Sequence, residues 1–364
     1  MGRLRQKAGT AKRRLQNARR ELFPKQAVSA SAIDASARSY EPAEFGVDRP
    51  FATDALHSRL SESEVAELHA AIEALDETID KPVPPGAPPE KMPLNQSWKD
   101  SSGVERKRID LNLGTHIGFP ALLEKTGLTQ AMPPEEIHAM THSPLGAGGS
   151  LYHSDLVATA LASAGAPIGD GTAILDFGCS SARVARALAA AFPAARLYGC
   201  DPNGPAVEWA QQNLPGIEFA KSENDPPLPW ADATFDAAYG ISIWSHYNEG
   251  LALKWYDEMH RVIKPGGHLI STTHGFQSVA FYGGIGLRSA DQLSEIKQSL
   301  YDRGYWYAPE FGNKGDWGVV NNDWGTSFVS QEWVLDKLSP KWQVVEYATA
   351  RNEGNQDVYV LRRA

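Results

Sequence analysis

The residues best suited to chemistry gather in one stretch of this 364-residue chain. Asp176 and Gly178 stand in ILDFGCSSAR, where a short apolar run breaks into small residues, and Asp201 follows in LYGCDPN. A sheet that binds a nucleoside-bearing cofactor needs three things at its carboxyl edge. These are a tight turn that admits the ligand to the backbone, a helix N-terminus, and an acid about 20 residues later that accepts from ribose hydroxyls. Gly178 with Ser180, Ser181 and Ala182 supplies the turn, and Asp201 supplies the acid. A nicotinamide-binding turn starting at Gly178 would need glycine at positions 180 and 183, where the chain has Ser180 and Arg183. Cys179 and Cys200, the only cysteines, fall at adjacent strand ends and read as small packing residues. Two cysteines imply no disulfide framework, and no zinc-ligand spacing or other metal site is expected.

The elements around these residues alternate in type. From about residue 150, strand-like runs at 172–177, 196–200, 216–220, 235–241 and 268–273 alternate with helical patterns at about 151–164, 181–191, 204–213 and 249–263. Pro265-Gly266-Gly267 reads as a turn opening the run at 268–273. Two more strand candidates, 342–348 and 356–362, close the chain, and Gln356 and Asp357 stand near the start of the second.

Four blocks in order resemble the class I, Rossmann-like S-adenosylmethionine-dependent methyltransferases. ILDFGCSSARVARAL resembles the family's D/E-x-G-x-G-x-G motif, and LYGCDPN its ribose-binding element. ENDPPLPWADATFDAAYGISIWSHY resembles the segment around the adenine, and HRVIKPGGHLI its LKPGG turn. The resemblance implies an α/β fold with three layers. Its sheet has seven strands, mostly parallel with an antiparallel last strand. It also implies S-adenosyl-L-methionine as cofactor, held by Asp176, Gly178, Cys179, Ser180, Asp201, Pro202, Gly240 and Ile241. The adenine acid falls on Asn224 or its neighbour Asp225. The chain departs from the family at Ser180 and Ala182, which replace the second and third motif glycines. A Cβ there narrows the turn and disfavours positive φ.

The same resemblance places two histidines near the acceptor. His246, in ISIWSHY, matches a family histidine that contacts substrate or fixes its loop. His274, in STTHG, ends a strand on the acceptor side as a base or acceptor ligand. Tyr152 and His153, on a helix that covers the cofactor in related enzymes, are expected to bind the substrate. A long insertion at 275–333 carries Trp306, Trp317 and Trp324 among amides and acids, a composition that suits a sugar or another polar ring, or else a satellite core. The second half of the chain is similar to bacterial glycan and natural-product methyltransferases, which implies methyl transfer to an oxygen, or else a nitrogen, of a small molecule or glycan.

Composition bounds the rest. The net charge of −9 combines eight Lys/Arg and no acid in residues 1–20 with a body at −17. An acidic body repels phosphate, so nucleic acid is not the expected partner. Residues 1–22 read as a basic amphipathic tail able to touch a membrane surface or a protein. A nucleic-acid methyltransferase anchored by that tail, or a non-catalytic binding protein of the same fold, are the rival readings. Residues 23–150 form an extension with a helix at 61–79, opened by a Ser61/Glu64 capping box, and a Pro-rich linker at 81–93. Residues 151–364 form the methyltransferase domain. No run is long and apolar enough to span a membrane, so a cytoplasmic protein is expected.

Overall fold

The computed structural model describes residues 51–81, 90–140, 144–312, 315 and 317–364. The expected basic helix at 1–22 and most of the Pro-rich segment lie outside the described residues. In the extension, α1 (Ala52–His57) and α2 (Glu62–Glu73) precede β1 (Thr78–Lys81) and β2 (Glu90–Pro93), followed by α3 (Leu94–Lys99), α4 (Gly103–His116) and α5 (Pro120–Thr126). Ser61 and Glu64 cap α2 reciprocally, as their spacing predicts. The helix ends at Glu73, short of the expected residue 79. Ile79 leaves it to pair with Met92 in the β1–β2 ladder, so cross-strand pairing claims the last apolar position. The same ladder takes Lys81 and the residues from Glu90 to Pro93, which correspond to the ends of the expected linker.

Next come α6 (Leu151–Ser163), β3 (Ala173–Phe177), α7 (Ala185–Ala191), β4 (Arg196–Asp201), α8 (Gly204–Asn213), β5 (Ile217–Lys221), β6 (Phe235–Gly240), α9 (Glu249–Val262) and β7 (Ile263–His274). The insertion holds α10 (Phe276–Gly284), α11 (Ala290–Arg303), β8 (Tyr305–Ala308) and β9 (Thr326–Val329). Then α12 (Gln331–Leu338), β10 (Trp342–Asn352) and β11 (Gln356–Arg363) close the chain. The main sheet runs β10-β11-β7-β6-β3-β4-β5. The five strands from β3 to β7 are mutually parallel, and β11 is antiparallel to both its neighbours. The seven strands, mostly parallel with an antiparallel last strand, are those the resemblance implies. β3 is buried along its whole length, as a central parallel strand must be. The expected Pro265-Gly266-Gly267 turn lies inside β7 as a bulge: register shifts between Phe235/Ile263 and Ala237/His268, and Gly266 takes φ +75°.

Strand order reverses between β3 and β6, so the loops after those strands meet at the sheet's carboxyl edge, where such folds bind ligands. The extension docks against α6 and α7 through Leu151, Ala187 and Ala191, which join Leu56, Leu68, Leu111 and Leu122 in one apolar cluster. A buried anchor adds to it. Asp155 on α6 accepts from the Thr53 N–H (2.8 Å), the Thr53 hydroxyl (2.7 Å) and Arg108 Nε (2.8 Å).

Candidate functional site

The loop after β3 is built from strained backbone. Gly178, Ser180 and Ala182 take φ +80°, +50° and +59°. Ser180 and Ala182 thus adopt the left-handed conformation that the missing glycines would favour. For a residue with a Cβ this costs about 1–2 kcal/mol each. The surroundings hold them there. The Gly178 and Cys179 N–H groups donate to the Cys200 carbonyl (2.9 and 3.0 Å), and the Ser180 N–H donates to Asp201 Oδ2 (2.8 Å). At Gly178 the close approach is also steric, since a Cβ there would lie 2.2 Å from Ile243 Cδ1.

Asp201 ends β4 beside this loop. Its second oxygen accepts from the Asn203 N–H at 2.8 Å. Removal from water pushes the Asp201 carboxyl up to about 6, opposed by the Asn203 and Ser180 N–H groups. Asp176 is buried at the end of β3. Burial pushes it up to about 7, while Tyr239, Arg183 and the Ala185 N–H hold it down. Cys179 and Cys200 are buried, and burial raises both thiols well above their ordinary value, which fits packing groups rather than nucleophiles. A left-handed loop of small residues, a helix start and a two-oxygen acid fit the nucleoside part of S-adenosylmethionine.

Asn203, missed by the sequence reading, links this corner to two distant segments. It caps α8 by accepting from the Ala206 N–H, and its Nδ2 donates to the carbonyls of His138 and Trp317. Ser180 Oγ also accepts from the Met140 N–H at 3.3 Å. The Asn-Gly-Pro start of a helix was the signal available for the cap; neither remote carbonyl left any. Pro202 connects Asp201 to this cap. Of the two adenine candidates, Asn224 donates to the Val320 carbonyl (3.3 Å), placing it against the insertion. Asp225 is exposed and pairs with Lys254 at 2.9 Å.

On the other side of β3, Gly240 ends β6 where a Cβ would lie 2.5 Å from the Trp244 ring, and Ile241 is buried. A 3-10 turn, Trp244–His246, then presents His246. Its Nδ1 lies 2.8 Å from the Gly325 carbonyl. Its ring centre is 4.6 Å from that of Trp317 and 6.4 Å from that of Phe311, and Trp317 lies 5.8 Å from Trp324. These rings are half-buried.

His274 differs from expectation. It sits behind His246, ring centres 6.5 Å apart, with only 2% of its surface exposed. Its Nδ1 meets the Ser327 carbonyl at 3.0 Å, and its Nε2 lies 3.2 Å from both the Tyr282 hydroxyl and Gln356 Nε2. Tyr282, Gln356 and Phe328 therefore surround the ring, a placement suited to support rather than to contact with an acceptor. Gln356 is a hub here: its Oε1 accepts from Ser242 (3.0 Å), Thr272 (2.8 Å) and Asn352 (2.9 Å).

Three further expected acceptor contacts move. Trp306 is corrected to the insertion's own core, where it packs on Phe328 and donates to Glu295 at 3.0 Å. Tyr152 is tied to the β10–β11 turn, donating to the Arg351 carbonyl (2.8 Å) and accepting from the Glu353 N–H (2.9 Å). His153 is buried between Ser150, Arg183 and Asn352. Among the described residues no group of three or more His, Cys, Asp or Glu is placed to hold a metal ion, and no helix is long and apolar enough to cross a membrane.

Comparison with known proteins finds partial matches. Residues 174–267 match the family described as a methyltransferase domain. A malonyl-[acyl-carrier protein] O-methyltransferase of Hahella chejuensis is 29% identical over 143 residues, covering 36% of this chain and 50% of that protein. A fatty-acid O-methyltransferase of Mycolicibacterium smegmatis is 30% identical over 105 residues, 28% of this chain and 37% of that protein. The chain thus spans half or less of the length of these curated relatives. Among solved structures, a protein of Pyrococcus horikoshii is 15% identical, with 62% of this chain and 95% of that one covered at a TM-score of 0.43.

Proposed function

With a class I, S-adenosylmethionine-dependent methyltransferase domain as the premise, we propose that this chain transfers a methyl group from S-adenosylmethionine to an oxygen, in preference to a nitrogen, of a small molecule or glycan. The observation that favours a hydroxyl over a carboxylate as the oxygen acceptor is the tautomer of His246. A carbonyl can only accept, so the neutral ring keeps its proton on Nδ1, towards Gly325, and its lone pair on Nε2. A hydroxyl acceptor uses such a lone pair, because its oxygen becomes nucleophilic as its proton leaves; a carboxylate has no such need.

The bound cofactor supplies an electrophilic methyl on a sulfonium, which leaves orientation and proton removal to the protein. Asp201 and the loop from Gly178 to Ala182 hold the nucleoside, with Asn224 towards the adenine. His246 takes the hydroxyl proton at Nε2. Phe311 and Trp317 lie beside the His246 ring, with Trp324 next to Trp317, and offer flat faces to a sugar or another ring. His274, fixed by Ser327, Tyr282 and Gln356, supports His246 from behind. Two partial relatives are named O-methyltransferases, which supports oxygen as the acceptor atom.

The test has two stages. Calorimetry with S-adenosylmethionine comes first, and no binding at millimolar cofactor would sink the reading. Labelled methyl transfer to a panel of sugars, hydroxylated lipids and carboxylic acids follows. Alkali-stable product indicates a methyl ether and supports the role of His246. Alkali-labile product indicates a methyl ester and removes the need for a base.

A further inference from the structure

Asp176 and Asp201 bracket the cofactor corner with two acids, and S-adenosylmethionine brings a third carboxylate on its amino-acid tail. A cation beside that tail would complement its charge. Three arginines stand between the two acids in sequence. Arg186 commits its guanidinium to the Ala147 and Ala131 carbonyls, and Arg196 is exposed at the start of β4, away from the carboxyl edge. The third, Arg183, ends the cofactor loop itself, and its charge reaches Asp176.

Arg183 is held in place by a histidine. Its Nη1 lies 2.9 Å from His153 Nδ1, and Ser150 Oγ approaches the same nitrogen at 2.5 Å. A guanidinium only donates, so Nδ1 accepts and the proton of His153 sits on Nε2, which lies 3.1 Å from Asn352 Oδ1. His153 therefore fixes the guanidinium as a neutral ring and leaves its positive charge intact. The backbone is locked as well. The Ser150 N–H donates to the Arg183 carbonyl at 2.5 Å, and a Cβ at Gly149 would come within 2.7 Å of that carbonyl.

The position follows from strand order. With its ribose at Asp201 on β4 and its methyl towards His246 beyond β6, the cofactor would cross the end of β3, which lies between β4 and β6. Asp176, which ends β3, and Arg183 would then stand on the side of its amino-acid tail. We infer that Arg183 clamps the α-carboxylate of the cofactor's amino-acid tail, with His153 as the positioning residue. The inference rests on the methyltransferase reading and assigns a role to a loop residue that the family motif does not include.

Calorimetry with S-adenosylmethionine and decarboxylated S-adenosylmethionine tests it without any turnover. The wild-type protein should prefer the intact cofactor by at least about tenfold, the low end for a charge-assisted pair. Arg183→Gln should weaken the intact cofactor by about ten- to a hundredfold and leave the decarboxylated one within about twofold, while Arg183→Lys should recover part of the loss. Equal wild-type affinity for the two ligands overturns the clamp, and this comparison stands even if the variant does not fold. An equal loss of both ligands in a folded Arg183→Gln protein also overturns it. Binding of neither ligand by the wild type removes the methyltransferase reading and the clamp with it.

Discussion

Asp201→Asn separates the charge of the expected ribose acid from its shape. In the wild-type protein one carboxylate oxygen serves the Ser180 N–H and the other the Asn203 N–H, both at 2.8 Å. Asparagine offers one carbonyl oxygen, so one of those N–H groups meets an amide NH2 instead. An unmet buried donor costs about 1–3 kcal/mol, and the free protein should lose that much stability. Cofactor binding should fall as well. A ribose hydroxyl donating to an ionised oxygen contributes about twice what a neutral pair does, so losing the charge should weaken S-adenosylmethionine by about 1–2 kcal/mol, roughly five- to thirtyfold. The pH dependence sharpens the case. With the Asp201 carboxyl at about 6, the binding-competent anion is lost as pH falls through that value. At pH 5 about a tenth remains ionised, so wild-type affinity should drop about tenfold between pH 8 and pH 5, and the asparagine variant should lack that share of the slope. Calorimetry of both proteins from pH 5 to pH 8, with thermal melts at each pH, measures all three effects. A variant that binds as tightly as wild type at pH 7.5, or that keeps the full slope, would refute the assignment of Asp201.

Other perturbations probe separate parts of the structure. His246→Gln should lower turnover of a hydroxyl acceptor by about a hundredfold or more while cofactor affinity stays within about twofold, as steady-state kinetics and calorimetry would show; parallel losses of both would mark a structural role. Gly178→Ala should cost about 1–3 kcal/mol in urea melts, because φ is +80° and the new Cβ meets Ile243, and Ile243→Ala in the same chain should return only the steric share. Asp155→Ala leaves the buried Arg108 guanidinium without its main partner, and a loss of about 3–5 kcal/mol in the same assay is expected if that pair anchors the extension. The raised carboxyls of Asp176 (about 7), Asp201 (about 6) and Asp357 (about 6) take up protons on folding above their ordinary value of 3.8. The free protein should therefore lose stability from these groups as pH rises from about 4 to 7, and Asp357→Asn should remove its part of that slope.

The sequence by itself determined the framework that local chemistry can encode. Apolar runs of strand length, the Ser61/Glu64 cap and the small-residue turn after Phe177 each depend on neighbours a few positions away, so the order of elements and the loop beside Asp201 were legible. The bulge at Gly266 was read as a turn, since the same residues serve both and only pairing with β6 distinguishes them. Ser180 and Ala182 argued against positive φ, and the hydrogen bonds to Asp201 and Cys200 overrode that preference from the adjacent strand. Tertiary structure decided the roles. His246 and His274 look alike in sequence, yet both owe their tautomer to carbonyls at Gly325 and Ser327, 79 and 53 residues away, and only packing puts one at the aromatic wall and the other behind it. Trp306 and Trp317 share a composition and part company at Phe328. Arg183 gains its meaning from His153, 30 residues earlier. Local patterns fix what a segment can form; which side chain faces the cofactor depends on contacts between segments that the chain brings together only when it folds.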